Sequence, residues 1–310
     1  MIGACLGLDT SNYTTSAAVF DGGSGLNAGK LLEVPTGGLG LRQSEALFQH
    51  VRALPDRMAQ LERAGVLKHI RAVAASTRPR AVEGSYMPCF LAGESLGRSL
   101  ASALDVPFYA VSHQQGHLAA AAWSAGRMEL LDAPFLAWHL SGGTTELLRV
   151  EPEGVNVRAE RIGGTTDISA GQLIDRTGVL LGLDFPCGKA LDALAGESEK
   201  GERFRVKVNG REFSLSGMEN QVKSLCEKGA APEEIARFAL NTVCDAVGRA
   251  TVAAQAAYPG LPVLCSGGVA SNSRLRHVLS DSCGAVFAEP QYSTDNAMGV
   301  AILAHRLVNK

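Results

Sequence analysis

The sequence predicts an α/β protein of two related lobes with a cleft between them. Three observations predict it. Apolar strands and amphipathic helices are mixed along the whole chain, which excludes an all-α or all-β fold. A strand, a Ser/Thr-rich turn and a second strand occur twice, at residues 6–20 and 136–150, as a duplicated lobe would give. Two Gly-Gly turns, Ser141-Gly142-Gly143 and Ser266-Gly267-Gly268, each follow an apolar run. Glycine lets the backbone approach a flat or anionic ligand, and a helix starting after such a turn offers free N–H donors. Two such turns point to a nucleotide.

The elements follow in order. Residues 4–9 and 16–20 read as strands joined by the polar turn 10–15, with a third strand at 31–35 and a surface loop at 22–29. From 44 to 63, Leu47, Val51, Leu54, Met58 and Leu61 recur at helical spacing on one face. A strand at 70–76, a helix at 91–104 and a strand at 107–111 come next. Residues 113–125 form an alanine-rich helix. Strands at 134–140 and 146–150 make the second hairpin. Helices follow at 167–181, 189–195 and 233–257, then the strand 262–266. Directly after its Gly-Gly turn a further helix begins, and a helix at 294–307 closes the chain. Residues 200–211 read as a surface loop, with Arg203, Arg205, Lys207 and Arg211 as a solvated face.

Bulk composition bounds the function. With 310 residues, 46% of them hydrophobic, the chain can bury one large core or two medium ones. A net charge of −2 gives no global basic field to draw in nucleic acid. The seven cysteines contain no C-x-x-C spacing, so they read as free thiols of a reducing cytosol. The N-terminus lacks a basic segment of the signal-peptide kind, and no apolar run approaches the ~20 residues of a membrane span.

Three constellations can carry chemistry. His113 and His117 stand at i and i+4, on one helix face, a spacing that suits two ligands of one metal ion; two unrelated histidines are the plainer reading. A zincin protease needs Glu after the first His, and here Gln114 cannot activate water. Asp295, in Ser293-Thr294-Asp295-Asn296, is either a helix cap or a third, hard ligand. Asp175 and Asp192 interrupt apolar helices, a costly placement unless each is paired or bound to a ligand hydroxyl. Asp9, at the end of the first strand, orients a metal-bound phosphate or simply holds its turn.

These pieces, in this order, resemble the family of tRNA N6-adenosine threonylcarbamoyltransferases, once called glycoproteases, of the actin-like ATPase superfamily. The resemblance rests on Leu8-Asp9-Thr10-Ser11, His113-Gln114-Gln115-Gly116-His117, Leu140-Ser141-Gly142-Gly143, Gly171 through Asp175, Gly182 through Gly188, Ser214-Leu215-Ser216-Gly217, Gly267 through Asn272 and Asp295-Asn296-Ala297. It implies two actin-like (ribonuclease H-like) lobes with a central cleft. One lobe takes residues 1–110 with 296–310; the other, 111–295, carries the metal and nucleotide motifs. It implies iron or zinc on His113, His117 and Asp295. It implies an adenine nucleotide or acyl-adenylate at His139, Leu140, Ser141, Gly142, Gly143, Asp175, Gly188, Asp192, Gly267, Gly268 and Asn272. Asp9 and Ser11 then stand for phosphate or magnesium. The implied activity moves a threonylcarbamoyl group from its adenylate to N6 of the tRNA adenosine beside the anticodon, in the cytoplasm. The implied partners are tRNA, a shorter paralogue and other proteins of that pathway, with no membrane.

The chain departs from the family pattern in places. Gln115 stands where the family has Glu, Asp9 where it has the longer Glu, and Glu219 where it has Lys. The family's Gly-Pro-Gly turn becomes the charged segment Thr77 to Gly84. Two readings therefore stay open: a transferase with an altered site, for which Gln115→Glu should raise activity, or a diverged paralogue. The paralogue would bind metal and nucleotide but act on another substrate or serve as a non-catalytic partner.

Overall fold

The computed structural model of the chain describes residues 3–11, 13–34 and 41–309. It divides into two compact units. The first is Met1–Ala133 with Glu151–Ala159 and Asp295–Lys310; the second is Pro134–Val150 with Glu160–Thr294.

The first unit is built on a five-stranded sheet. Its strands are β1 (Ala4–Ser11), β2 (Thr14–Phe20), β3 (Gly25–Leu31), β4 (Ile70–Arg78) and β5 (Phe108–Ser112), in the order β3-β2-β1-β4-β5. β1 and β2 form the expected hairpin, antiparallel, with Asp9 opposite Ser16. β4 and β5 add in parallel. Alternate side chains leave opposite faces of a strand. Leu6 and Leu8 therefore enter one core with Leu54 and Leu61 of α1 (Gln43–Arg63) and Ala92 and Ala101 of α2 (Leu91–Leu104). Gly7 points the other way, where a Cβ would lie 2.4 Å from the backbone nitrogen of Ala301. That face carries α9 (Met298–Val308), which in turn packs on α3 (His113–Ser124).

Two sequence expectations change here. Residues 22–29 are not a loop: β3 occupies most of them and pairs with β2 from Gly25 opposite Phe20 to Leu31 opposite Thr14. Its glycines and mostly exposed side chains hide the strand signal, because an edge strand needs only its backbone groups to pair. The expected strand 31–35 is thus β3 read late, and Pro35 lies outside the described residues. The unit boundary also differs from the expected 110/111 division. α3 and Asp295 lie in the first unit, because α3 rests on α9 so closely that a Cβ on Gly299 would sit 1.7 Å from the Gly116 carbonyl oxygen.

The second unit holds a seven-stranded sheet: β6 (Phe135–Leu140), β7 (Thr145–Glu153), β8 (Asn156–Thr165), β9 (Val208–Asn209), β10 (Glu212–Phe213), β11 (Val263–Ser266) and β12 (Val286–Phe287). Its order is β12-β11-β6-β7-β8-β10-β9. Its helices are α4 (Ala170–Leu180), α5 (Gly188–Ala195), α6 (Ser216–Glu227), α7 (Pro232–Ala257) and α8 (Ser273–Cys283). Trp138, Leu140 and Leu147 pack on α4 and α7 side chains, and the Trp138 indole donates to Thr251 Oγ1 at 2.9 Å. β8, β9, β10 and α6 were not expected from the sequence. Asp167 precedes α4 instead of lying in it, and α8 starts only after a 3-10 turn at Gly268–Ser271. No described helix is long and apolar enough to cross a membrane.

Candidate functional site

The first unit gathers three ligand-type side chains. α3 starts with a capping box. Ser112 Oγ accepts from the Gln115 amide at 3.2 Å and Gln115 Oε1 accepts from the Ser112 amide at 2.9 Å. That fixes His113 as the first helical residue and puts His117 one turn on, over the same face. The amide of Gln114 donates to the Pro79 carbonyl at 3.0 Å, so the charged segment after β4 ties down the same helix end. Asp295 enters from the turn before α9. There Asn296 Oδ1 accepts from the Met298 amide and Asn27 Oδ1 from the Ala297 amide, each at 3.0 Å.

The distances fit one ion. His113 Nε2 and His117 Nε2 are 3.0 Å apart; Asp295 Oδ1 lies 3.2 Å from His117 Nε2 and 3.6 Å from His113 Nε2. Ligands about 2.0–2.1 Å from a tetrahedral ion sit roughly 3.3 Å from each other. All three ligand atoms lie within 4.8 Å of one another, an arrangement found in no other group of that kind among the described residues. Two imidazoles and a carboxylate suit zinc or iron, and three protein ligands leave a position open. Burial works against charge on His113, but Asp9 and Asp295 outweigh it and push its pKa up to about 9. Without a cation, a proton fills part of that electrostatic demand.

Asp9 does not stand open to a phosphate. It is fully buried, and its two oxygens lie 3.0 and 3.2 Å from His113 Nδ1. Ser11 is buried too, and its hydroxyl has no partner. Sequence reading missed Ser76. Val73 and Ala75 of β4 enter the α1/α2 core, so Ser76 points to the α9 face, as Asp9 does. Its hydroxyl is fully buried and unpartnered. A lone hydroxyl in Ala72-Val73-Ala74-Ala75-Ser76 was the available signal. Behind this sheet, burial pushes the His50 imidazole down to about 4, and its Nδ1 pairs with Thr15 Oγ1 at 2.8 Å.

Gln115, between the two histidines in sequence, does not share their helix face. It is buried on another side of α3, and its Nε2 donates to the Val157 carbonyl at 2.8 Å. A side chain two positions from His113 is turned about 200° around the helix. Glu219 likewise has an internal explanation. It forms an ion pair with Arg176, so the reversed charge is neutralised within the unit.

The second unit assembles the nucleotide motifs. Ser141-Gly142-Gly143 is a tight turn between β6 and β7: the Ser141 amide donates to the Thr144 carbonyl at 2.8 Å and the Thr144 amide to Ser141 Oγ at 3.1 Å. His139 and Leu140 end β6, and His139 pairs in register with Ser266 of β11. Gly267 has φ +97°, and a Cβ there would meet the Leu140 carbonyl oxygen at 2.1 Å, so both conformation and space require glycine. Gly142, Gly143, Gly188 and Gly268 differ: a Cβ on each would meet nothing within 4 Å. Packing does not demand glycine there.

Asp192 and Asn272 are locked together. Asp192 Oδ1 accepts from Asn272 Nδ2 at 2.7 Å and Oδ2 from the Ser273 amide at 2.8 Å, while Asn272 Oδ1 caps α8 at the Leu275 amide, 2.9 Å. The partner that a carboxylate in an apolar helix needs is therefore internal. Asp175 Oδ1 accepts from the Cys187 amide at 2.8 Å. With Gly142, Phe185, Val179, Val222 and the Arg176–Glu219 pair, Asp175 lines a cavity of about 620 Å³ beside α4 and α6. That is ample for a purine nucleoside against apolar walls.

The chain matches the TsaD family model, described as tRNA N6-adenosine threonylcarbamoyltransferase, over residues 37–302. A Thermus thermophilus protein of that name is 34% identical over 83% of this chain and 78% of its own. One from Granulibacter bethesdensis is 33% identical over 98% of this chain and 89% of its own. Among solved structures, full-length HypF in a phosphate- and nucleotide-bound form aligns at TM-score 0.63 and 16% identity, over 98% of this chain and 55% of that one. Component A of the (R)-2-hydroxyglutaryl-CoA dehydratase of Acidaminococcus fermentans aligns at TM-score 0.54 and 15% identity, over 99% and 100%. These likenesses establish the actin-like ATPase fold.

Proposed function

We propose that this chain, which belongs to the tRNA N6-adenosine threonylcarbamoyltransferase family and is an acyltransferase-type enzyme, moves a threonylcarbamoyl group from its adenylate to N6 of a tRNA adenosine beside the anticodon. The observation that carries this reading is the convergence of His113, His117 and Asp295 on one ion-sized space. The reaction forms a bond from N6 to the carbamoyl carbon and breaks the carbon–oxygen bond to AMP; the amine loses a proton and AMP leaves intact, its phosphate oxygen keeping the electron pair of the broken bond.

Zinc or iron held by the three side chains would supply a Lewis acid toward a donor oxygen of the acyl group. Everything else falls to the chain. The Ser11 and Ser76 hydroxyls are buried as Asp9 is, so no phosphate, acyl oxygen or magnesium is assigned to them. The turns at Gly142-Gly143 and Gly267-Gly268, with the start of α5 at Gly188, would cradle AMP through backbone N–H groups. His139, Leu140 and Ser141 would shape that turn, Asp175 would take a ribose hydroxyl, and the Asp192–Asn272 pair would hold the cradle rigid. The cytoplasm, tRNA and partner proteins of the same pathway, including a shorter paralogue, belong to this reading.

The diverged-paralogue reading has less to stand on. Gln115 and Glu219, two departures that favoured it, have internal partners in Val157 and Arg176. The deciding test is threonylcarbamoyl transfer to unmodified tRNA by the purified chain with its partners, against His117→Ala. We expect about one transition-metal ion per wild-type chain, none in His117→Ala, and loss of transfer with it. A metal-loaded but inert wild type would favour the paralogue; a wild type that binds no metal would remove the triad argument.

A further inference from the structure

We propose that Asp9 is a positioning residue that holds His113 in the tautomer and orientation needed to bind an ion through Nε2. The proposal rests on the metal-binding reading of the triad and adds the group that aims it.

Three observations carry it. Asp9 is fully buried on β1, on the sheet face opposite the α1/α2 core. A buried carboxylate needs a partner. Its neighbours across the sheet do not supply one. The Ser16 hydroxyl is spent on the Asp9 backbone carbonyl at 3.3 Å. Ser76, which follows the Leu8–Ala75 register pair, leaves its hydroxyl unpartnered. The side-chain hydrogen bonds of the carboxylate therefore go to His113 Nδ1, at 3.0 and 3.2 Å.

The consequence follows from hydrogen-bond chemistry. An ionised carboxylate only accepts, so Nδ1 must carry the proton. Nε2 is then the nitrogen left for an ion, which displaces any proton held there, and the ring is turned so that Nε2 faces His117 Nε2 at 3.0 Å and Asp295 Oδ1 at 3.6 Å. The Phe90 ring, 6.1 Å from the His113 ring and tilted 54°, packs alongside it. A carboxylate–histidine–metal relay of this kind also makes the imidazole a better donor.

The test is Zn²⁺ affinity of the full chain, measured by competition with a chromophoric chelator, for wild type, Asp9→Asn and Asp9→Glu. Asn can present its NH₂ to Nδ1 and so permit the wrong tautomer. We expect Asp9→Asn to weaken Zn²⁺ binding ~10- to 100-fold and Asp9→Glu to recover most of the loss. Binding by Asp9→Asn within twofold of wild type overturns the proposal while leaving the triad intact. A wild type that binds no Zn²⁺ sinks the triad, and the proposal with it. Long-range ¹H–¹⁵N spectra of zinc-loaded wild type decide the matter even if Asp9→Asn does not fold. His113 should show a protonated Nδ1 and a coordinated Nε2; zinc on Nδ1 refutes the assignment.

Discussion

Gln115 shows how a residue lying between two histidines in sequence can serve the fold, with its side chain on another side of the helix. One end of its amide accepts from the Ser112 backbone and the other donates to Val157, so it needs both an acceptor and a donor. Glutamate supplies only acceptors when ionised, and would set a buried negative charge against the Val157 carbonyl. We expect Gln115→Glu to destabilise the protein by about 1–3 kcal/mol in urea unfolding, and not to raise transferase activity. A more active and equally stable variant would contradict this. Glu219 obeys similar logic at an exposed site. The Arg176–Glu219 pair is partly solvated, so its loss in Glu219→Gln should cost at most ~1 kcal/mol, while altering the wall of the 620 Å³ cavity.

At the scale of elements, two short contacts organise the second unit. Asp167 ties the segment before α4 to the start of α6: its carboxylate accepts from the Leu215 amide at 2.8 Å, the Ser216 amide at 3.2 Å and the Ser214 hydroxyl. Burial opposes its charge, but the hydroxyls of Ser214 and Ser216 and those amides outweigh burial and hold its pKa well below the usual range. A carboxylate lowered in the folded state stabilises it above the unfolded value of about 3.9, and that contribution fades as pH falls below it. The stability gap between wild type and Asp167→Asn should therefore be full at neutral pH, begin to narrow below about pH 4 and go on narrowing as pH falls toward the lowered folded-state pKa. Curves that stay parallel to pH 3 would refute the assignment. The second contact is Gly267 on Leu140. Gly267→Ala forces a strained φ and a clash with the Leu140 carbonyl, and should separate β11 from β6. Thermal melts should show a cost of roughly 2 kcal/mol or more, and stabilisation by AMP should shrink with it.

The whole molecule repeats itself: β3-β2-β1-β4-β5 in the first unit has the same order as β8-β7-β6-β11-β12 in the second. The repeat was legible in part. The hairpins at 6–20 and 136–150 carry continuous apolar runs around a Ser/Thr-rich turn, and the histidine pair and the Gly-Gly turns are local patterns visible in sequence. β3 was placed too late and β8 missed because Gly25, Gly29, Gly163 and Gly164 dilute the strand pattern. α6 was missed although Met218, Val222, Leu225 and Cys226 recur at helical spacing, because the charged and polar residues between them read as a loop. Asp9 beside His113 was out of reach, since 104 positions separate partners that only the β1–β4–β5 order brings together. The division of labour between the units is itself testable by hydrogen exchange. The His113, His117 and Asp295 cluster lies in the first unit and both Gly-Gly turns lie in the second. Ligand binding to the folded state alone protects what it contacts, by ~2.7 kcal/mol at a ligand concentration 100 times Kd. Stripping metal with a chelator should raise exchange in α3 and at the start of α9, whereas AMP should slow it at 140–144, 186–192 and 267–273. Protection by AMP confined to α3 and α9 would show that the glycine turns are structural corners and that the nucleotide binds in the first unit.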